Sequence, residues 1–274
     1  MNRGARILAF VAAGLMLVSA TACNKLRARD QLNKGVQAYK NAKYEEAIEK
    51  FKNAVALDPA LINAKLYLAT AYANQYVPGN EDPANVKNAE QAIEVFKDVM
   101  STNPGRDAKV GSLKGIASLY FQMKKLDQAK EYYSKVRDLD PNDPEVYYSI
   151  GVIDWTKTYQ PRMEEKAKLG LKPDEAIKDK KVCADLKDKN TAAVDDGMAM
   201  LQKAIDLRPD YDDAMAYYNL MWREKADIEC GDAQAREEDL KKADEWVKKT
   251  MAVKAEKAQK AAQTPGGITV DTTK

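Results

Sequence analysis

Cys23, Cys183 and Cys230 are the side chains in this chain best suited to covalent chemistry, and no histidine stands anywhere to help them. Without imidazole the commonest general base is missing. The Ser-His and Cys-His nucleophile pairs and the usual transition-metal ligand go with it. Lys, Glu and Tyr remain as acids and bases, so catalysis is disfavoured rather than excluded. In "DLDPNDPE", Asp138, Asp140 and Asn142 alternate as the ligands of a calcium loop do. The mechanics fail, because Asp143 stands where the sharp turn needs glycine and Ser149 where the distal bidentate acid belongs. The stretch reads instead as a turn whose aspartate caps the next helix. The sequence offers no phosphate loop, metal-ligand set or nucleophile-base pair, and no cofactor is expected.

Cys23 has a different context. Arg3 and Arg6 precede an uncharged apolar run, residues 7–18, too short and wrongly flanked to span a bilayer. This is expected to be a secretory signal over residues 1–22. Ala20-Thr21-Ala22 satisfies the small-residue rule for ordinary cleavage, while small residues directly before Cys23 resemble the bacterial lipobox, whose cysteine is acylated. Two outcomes follow: a lipoprotein anchored through Cys23, or a soluble periplasmic protein. Asn24 stands where, by the same resemblance, Asp would favour inner-membrane retention, so the expected destination is the outer membrane, periplasmic side. No later apolar segment could cross a bilayer.

The signal holds two arginines and no acid, so the 44 basic residues fall to 42 after cleavage and equal the 42 acidic ones. That balance gives no electrostatic footprint for nucleic acid. The charges are mixed in sign, the pattern of solvated helix faces.

The elements that must position these residues come from internal repetition. "GVQAYKNAKYEEAIEKFKNAVALDP" (35–59) has apolar and small residues at three- and four-residue spacing in two runs, broken at "NAK" and closed by "DP", which predicts a helical hairpin. The frame returns in "GIASLYFQMKKLDQAKEYYSKVRDLDP" (115–141), where Ala117, Tyr120, Ala129, Tyr133 and Pro141 take the places of Gly35, Ala38, Ala47, Phe51 and Pro59. Third and fourth copies begin at "LATAYANQY" and "YYSIGVIDW" and end at Pro104 and Pro209. Gly35, Ala69, Ala117 and Gly151 let helices approach, and each proline ends the helix before it. A fifth unit, "DAMAYYNLMWREKADIEC" with "REEDLKKADEWVKKTM", has Asn219 at the small-residue place and runs on as a lysine-rich helix, which suits a cap.

This resembles the tetratricopeptide repeat family, in the manner of a bacterial repeat lipoprotein. The resemblance implies an all-α, right-handed superhelical solenoid of about five helical hairpins, 23–262, with repeats near 28–61, 62–106, 110–143, 144–211 and 212–251. A helical extension runs to about 262, and a disordered tail, 263–274, is expected from its glycines and threonines. Between first and second helices, repeats two, four and five carry long loop inserts, the fourth over 158–196. All three leave one edge of the solenoid. Cys183 and Cys230 lie in inserts of consecutive, neighbouring repeats, so a disulfide is expected between them; the alternative is two buried free thiols.

The family's groove positions fall on Leu32, Val36, Tyr39, Leu66, Thr70, Asn74, Lys114, Phe121, Gln122, Tyr148, Val152, Trp155 and Arg223. The carboxylate clamp of eukaryotic chaperone-binding members is missing, since Leu32, Val36, Tyr67, Gly111 and Gly115 occupy its places. An apolar, aromatic groove suits an extended or helical peptide. The expected function is a non-catalytic periplasmic scaffold, anchored to the membrane through an N-terminal lipid. It would bind protein or peptide partners in envelope assembly, of the β-barrel assembly or pilus-secretin type, and not nucleic acid. The alternative is an enzyme or small-ligand-binding protein with its site between groove and inserts, which a pocket lined by convergent ionised groups would favour.

Overall fold

Apolar residues spaced three and four apart give one helix after another. The computed structural model describes residues 3–263, with side chains from residue 22. The side chains of the expected signal, Ala22 apart, and residues 264–274 of the expected tail lie outside the described residues. The ten described helices are α1 (Arg3–Lys40), α2 (Tyr44–Leu57), α3 (Ile62–Gln75), α4 (Pro83–Ser101), α5 (Arg106–Gln122), α6 (Leu126–Leu139), α7 (Pro144–Lys168), α8 (Lys180–Leu207), α9 (Asp212–Asp227) and α10 (Ala233–Gln263). Among the described residues no helix is long and apolar enough to cross a membrane.

The chain divides into two compact units, Met1–Tyr132 and Tyr133–Lys274. In the first, α1 packs on α2, α3 on α4, and α2 and α4 carry the stack forward onto α3 and α5. In the second, α7 pairs with α8, α9 with α10, and α9 lies against both α7 and α8. Small residues set these distances. A Cβ on Gly35 would sit 2.5 Å from the Phe51 ring, and one on Gly151 would sit 2.5 Å from Leu201. Each second helix buries one stripe, as α2 does with Ala47, Ile48, Phe51 and Ala54.

Helix ends follow the punctuation in the sequence. Pro59, Pro141 and Pro209 each stand two residues beyond the last residue of α2, α6 and α8, where proline cannot continue the helix. Asp82 and Asp143 accept hydrogen bonds from the backbone N–H of Ala84 (2.8 Å) and Glu145 (2.9 Å), with proline at the first helical position after each. Asp143 of "DLDPNDPE" is thus a helix cap.

The inserts depart from the expected long loops. In repeat two the connection stays a loop, 76–82, closed by Asn85, whose amide donates to the carbonyls of Val77 (2.9 Å) and Asn80 (2.7 Å). In repeat four most of 158–196 is helix, leaving only 169–179 as connection, and in repeat five only 228–232 is left. The reason lies in the periodicity: Cys183, Leu186, Asn190, Val194, Gly197, Leu201 and Ala204 form one buried stripe along α8, so the insert prolongs the hairpin.

Candidate functional site

In the first unit, α3 and α5 face each other across a cavity of about 460 Å³. Leu66, Thr70 and Asn74 line it from α3, Gly111, Gly115, Ser118 and Gln122 from α5, and the ring of Phe96 lies among the lining residues. Four of the expected groove residues, Leu66, Thr70, Asn74 and Gln122, therefore share one wall-to-wall space. Gly111 and Gly115 leave it open, and a Cβ on Gly115 would meet Phe96 at 2.6 Å. Thr70 donates to the carbonyl of Leu66 (2.8 Å) and Gln122 to the hydroxyl of Ser118 (3.0 Å). These polar groups are satisfied within their own helices, so the walls present mainly carbon. Leu32, Val36 and Tyr39 of α1 are half-buried against the core of this unit, and the Tyr39 phenol accepts from the amide of Asn74. Tyr39 also meets Tyr44 and the exposed Tyr67 edge-on, at 5.5 and 6.4 Å. Lys114 and Phe121 are half-buried on α5.

In the second unit the expected groove residues take different places. Val152 is 8% exposed and belongs to the core, so it lines no open surface. Tyr148 packs against Tyr211 (5.1 Å) and Tyr217 (5.7 Å). Burial, followed by the neighbouring Tyr217, Asp213 and Glu145, pushes its phenol up to about 12. Trp155 stacks on Tyr159 (4.6 Å) and meets Tyr217 edge-on (5.2 Å). Arg223 pairs with Asp244 (2.7 Å). Tyr148, Trp155 and Arg223 are half-buried.

The prolonged helices bring together charged residues that sequence patterning assigned to solvated faces. Arg162 of α7 grips Glu224 of α9 through two bonds of 2.8 Å and donates to Asp227 at 2.7 Å. Lys166 donates to the same Asp227 oxygen at 2.5 Å and to the carbonyl of Pro173 at 2.7 Å. All four side chains are at least nine-tenths buried. Burial raises the Glu224 carboxyl even against the charge of Arg162, and it lowers the Lys166 ammonium, with Arg162 and Arg236 adding to that fall. One signal was available in the sequence: Arg162 and Lys166 are four apart, Glu224 and Asp227 three apart, which puts each pair on one helix face.

Cys183 of α8 and Cys230, between α9 and α10, are joined, their Cα atoms 5.4 Å apart. Cys23 is a free, exposed thiol on α1. Among the described residues no group of histidine, cysteine and carboxylate side chains is arranged to hold a metal ion.

Residues 86–150 match the sequence model of the tetratricopeptide repeat family. That stretch carries tetratricopeptide repeat sequence. Solved structures agree on the fold. A crystal structure of MamA superposes with a TM-score of 0.55 at 14% identity, covering 85% of this chain and 94% of MamA. MamA from Desulfovibrio magneticus RS-1, residue 41 to its end, gives 0.55 at 16%, covering 84% and 96%. YrrB, described as a tetratricopeptide repeat protein with an unusual peptide-binding site, gives 0.52 at 14%, covering 88% and 97%. Human protein O-mannosyl-transferase TMTC3 is 30% identical over 122 residues, 43% of this chain but 13% of that protein. The repeat protein thus spans about an eighth of the length of this curated relative. Tetratricopeptide repeats are a protein-interaction fold, and this one keeps an open space between the first helices of repeats two and three.

Proposed function

We propose that this repeat protein is a non-catalytic scaffold of the bacterial cell envelope that holds a peptide segment of a protein partner in the groove between α3 and α5. The single observation that carries the reading is the cavity itself, open, carbon-lined and floored by glycines where the chaperone-type clamp would place charged side chains. Thr70, Ser118 and Gln122 already bond within their own helices and Asn74 bonds to Tyr39 of α1, so the cavity favours apolar side chains of an extended or helical partner over a free carboxylate. On this reading Cys23 carries the lipid, the protein sits on the periplasmic face of the outer membrane, and the partner belongs to an envelope-assembly machine of the β-barrel or pilus-secretin type. The exposed Cys23 thiol, at the sequence position of a lipobox cysteine, supports the anchor.

The test is a photoreactive residue placed at Gln122 in living cells, beside a control at exposed Glu90 of α4. Crosslinking to a defined envelope protein at Gln122 and not at Glu90, lost on adding a peptide from that protein, is the expected result. Equal crosslinking at both positions, or none at Gln122, defeats the reading. Mass spectrometry of the mature N-terminus tests the anchor separately, an unmodified Cys23 being the adverse outcome.

A further inference from the structure

We infer that the second unit carries a separate binding pocket for a carboxylate borne next to an apolar group, with Arg236 as its recognition residue. This site does not rest on the α3–α5 groove. It is a cavity of about 280 Å³, walled by Tyr159 and Met163 of α7, Pro173 of the 169–179 connection, Leu220 of α9 and Leu240 of α10. Three arginines, Arg162, Arg223 and Arg236, and two aspartates, Asp174 and Asp227, complete its lining. Apolar walls with a few convergent charged groups are the usual makeup of a small-ligand site.

Two of the three arginines are already engaged. Arg162 spends its donors on Glu224 and Asp227, and Arg223 on Asp244 and Asn219. Arg236 differs. Its Nη2 donates to the carbonyl of Asp174 at 2.8 Å and reaches Asp227 at only 3.5 Å, while its Nε is shielded from solvent and has no hydrogen-bond partner in the protein. Asp227 has little left to give, because one of its oxygens already serves Arg162 and Lys166. The enclosed cluster therefore sets Arg162, Lys166 and Arg236 against Glu224 and Asp227, three cations against two anions. Lys225 and Asp239 pair with each other at 3.4 Å and leave that count unchanged, and the Asp174 carboxylate is exposed at the rim, where water screens it.

A cation that is short of one anion, in a half-closed apolar cavity, attracts a group that supplies two acceptor oxygens in the plane of a guanidinium, which a carboxylate does. The volume admits one side chain of leucine size and excludes a folded partner. The carboxylate can come from a free small acid or from the last residue of a peptide.

Nuclear magnetic resonance titration of the full chain decides it, following the amides of Asp174 and Arg236. The probes are N-acetyl-leucine, N-acetyl-leucinamide, and the acid and amide of N-acetyl-Ala-Ala-Leu. Both acids are expected to bind saturably and their amides about tenfold more weakly or worse. A preference for the tripeptide acid assigns the site to chain ends, and equal binding assigns it to free small acids. Arg236→Gln, at a side chain 23% exposed, is expected to lose the acid-over-amide preference while still folding. Leu240→Trp, which fills the cavity without touching an ion pair, is expected to abolish binding, and it stands in if Arg236→Gln does not fold. Acid and amide binding alike, no saturable binding of either acid, or undiminished binding to Leu240→Trp overturns the inference.

Discussion

Arg162 and Glu224 are 62 residues apart in the chain and meet in a two-pronged ion pair, Nε to Oε2 and Nη2 to Oε1, each 2.8 Å, with 7% and 1% of their side chains exposed. The pair fastens the prolonged end of α7 to α9, and Arg162, with Asp227, lines the Arg236 pocket. A buried pair adds little net stability relative to apolar residues, but removing one partner leaves the other charge uncompensated. Arg162→Ala is therefore expected to cost about 3–5 kcal/mol in urea unfolding. Arg162→Met combined with Glu224→Leu and Asp227→Leu strands Lys166 and is expected to recover only part of that loss. A fall below about 1 kcal/mol for Arg162→Ala would mean that water reaches these carboxylates in the folded protein.

The disulfide fastens the same region, since Cys183 lies in the first turn of α8, Cys230 follows α9, and the disulfide sulfur of Cys183 lies 3.6 Å from the Asp227 carbonyl. Protein purified without reductant is expected to show neither cysteine reactive to thiol label under denaturing, non-reducing conditions. Reduction should lower stability by about 4 kcal/mol for a loop of this length in the chain-entropy model. Labelling of both without prior reductant is the contrary result.

The repeats were legible because their signals are local: Gly35 and Phe51, or Gly151 and Leu201, recur at fixed spacing, and each close contact needs a small residue opposite a large one. The groove of the first unit was legible for the same reason, as Leu66, Thr70, Asn74 and Gln122 follow from the frame. The insert was not. Pro161, a residue that ordinarily breaks helices, lies inside α7, and Arg162, Lys166, Glu224 and Asp227 look like solvated residues until tertiary contact between α7 and α9 buries them. Val152 and Tyr148 occupy groove positions of the frame, yet packing in the second unit uses them as core and near-core residues. Periodicity gives a residue's helix face, and only the neighbouring element decides whether that face is covered.

Tyr148 separates the two uses of a ring. Its phenol is raised to about 12 in the folded protein, against about 10 in the unfolded chain. The folded state thus holds the proton more tightly. This contribution to stability is complete below pH 10 and disappears as pH rises through 12. The parent protein should lose stability more steeply between pH 10 and 12 than Tyr148→Phe, followed by urea midpoints at each pH. Tyr148→Ala should cost about 2 kcal/mol at neutral pH, less than for a fully buried ring. Parallel alkaline limbs for parent and Tyr148→Phe would place the ring in water.

The α3–α5 groove yields a prediction of the opposite kind, a loss of binding without a loss of stability. Ser118 lies midway along the α5 wall, half-buried, with its hydroxyl accepting only from Gln122 of the same helix. An indole at this position has room inside a cavity of about 460 Å³ and removes most of the space a partner side chain would enter. Ser118→Trp should therefore keep the parent melting temperature within about 2 °C, since it breaks one part-buried hydrogen bond worth about 1 kcal/mol and buries new carbon in its place. A peptide identified by crosslinking at Gln122 should bind this variant at least about thirtyfold more weakly, the effect of losing a central anchor of ~2 kcal/mol. Fluorescence anisotropy of the labelled peptide measures the affinity, and calorimetry the melting point. Parent-like affinity in a stable Ser118→Trp would show that the partner is held elsewhere, on the surface around Tyr39 and Tyr67, and Tyr67→Ala would then carry the loss.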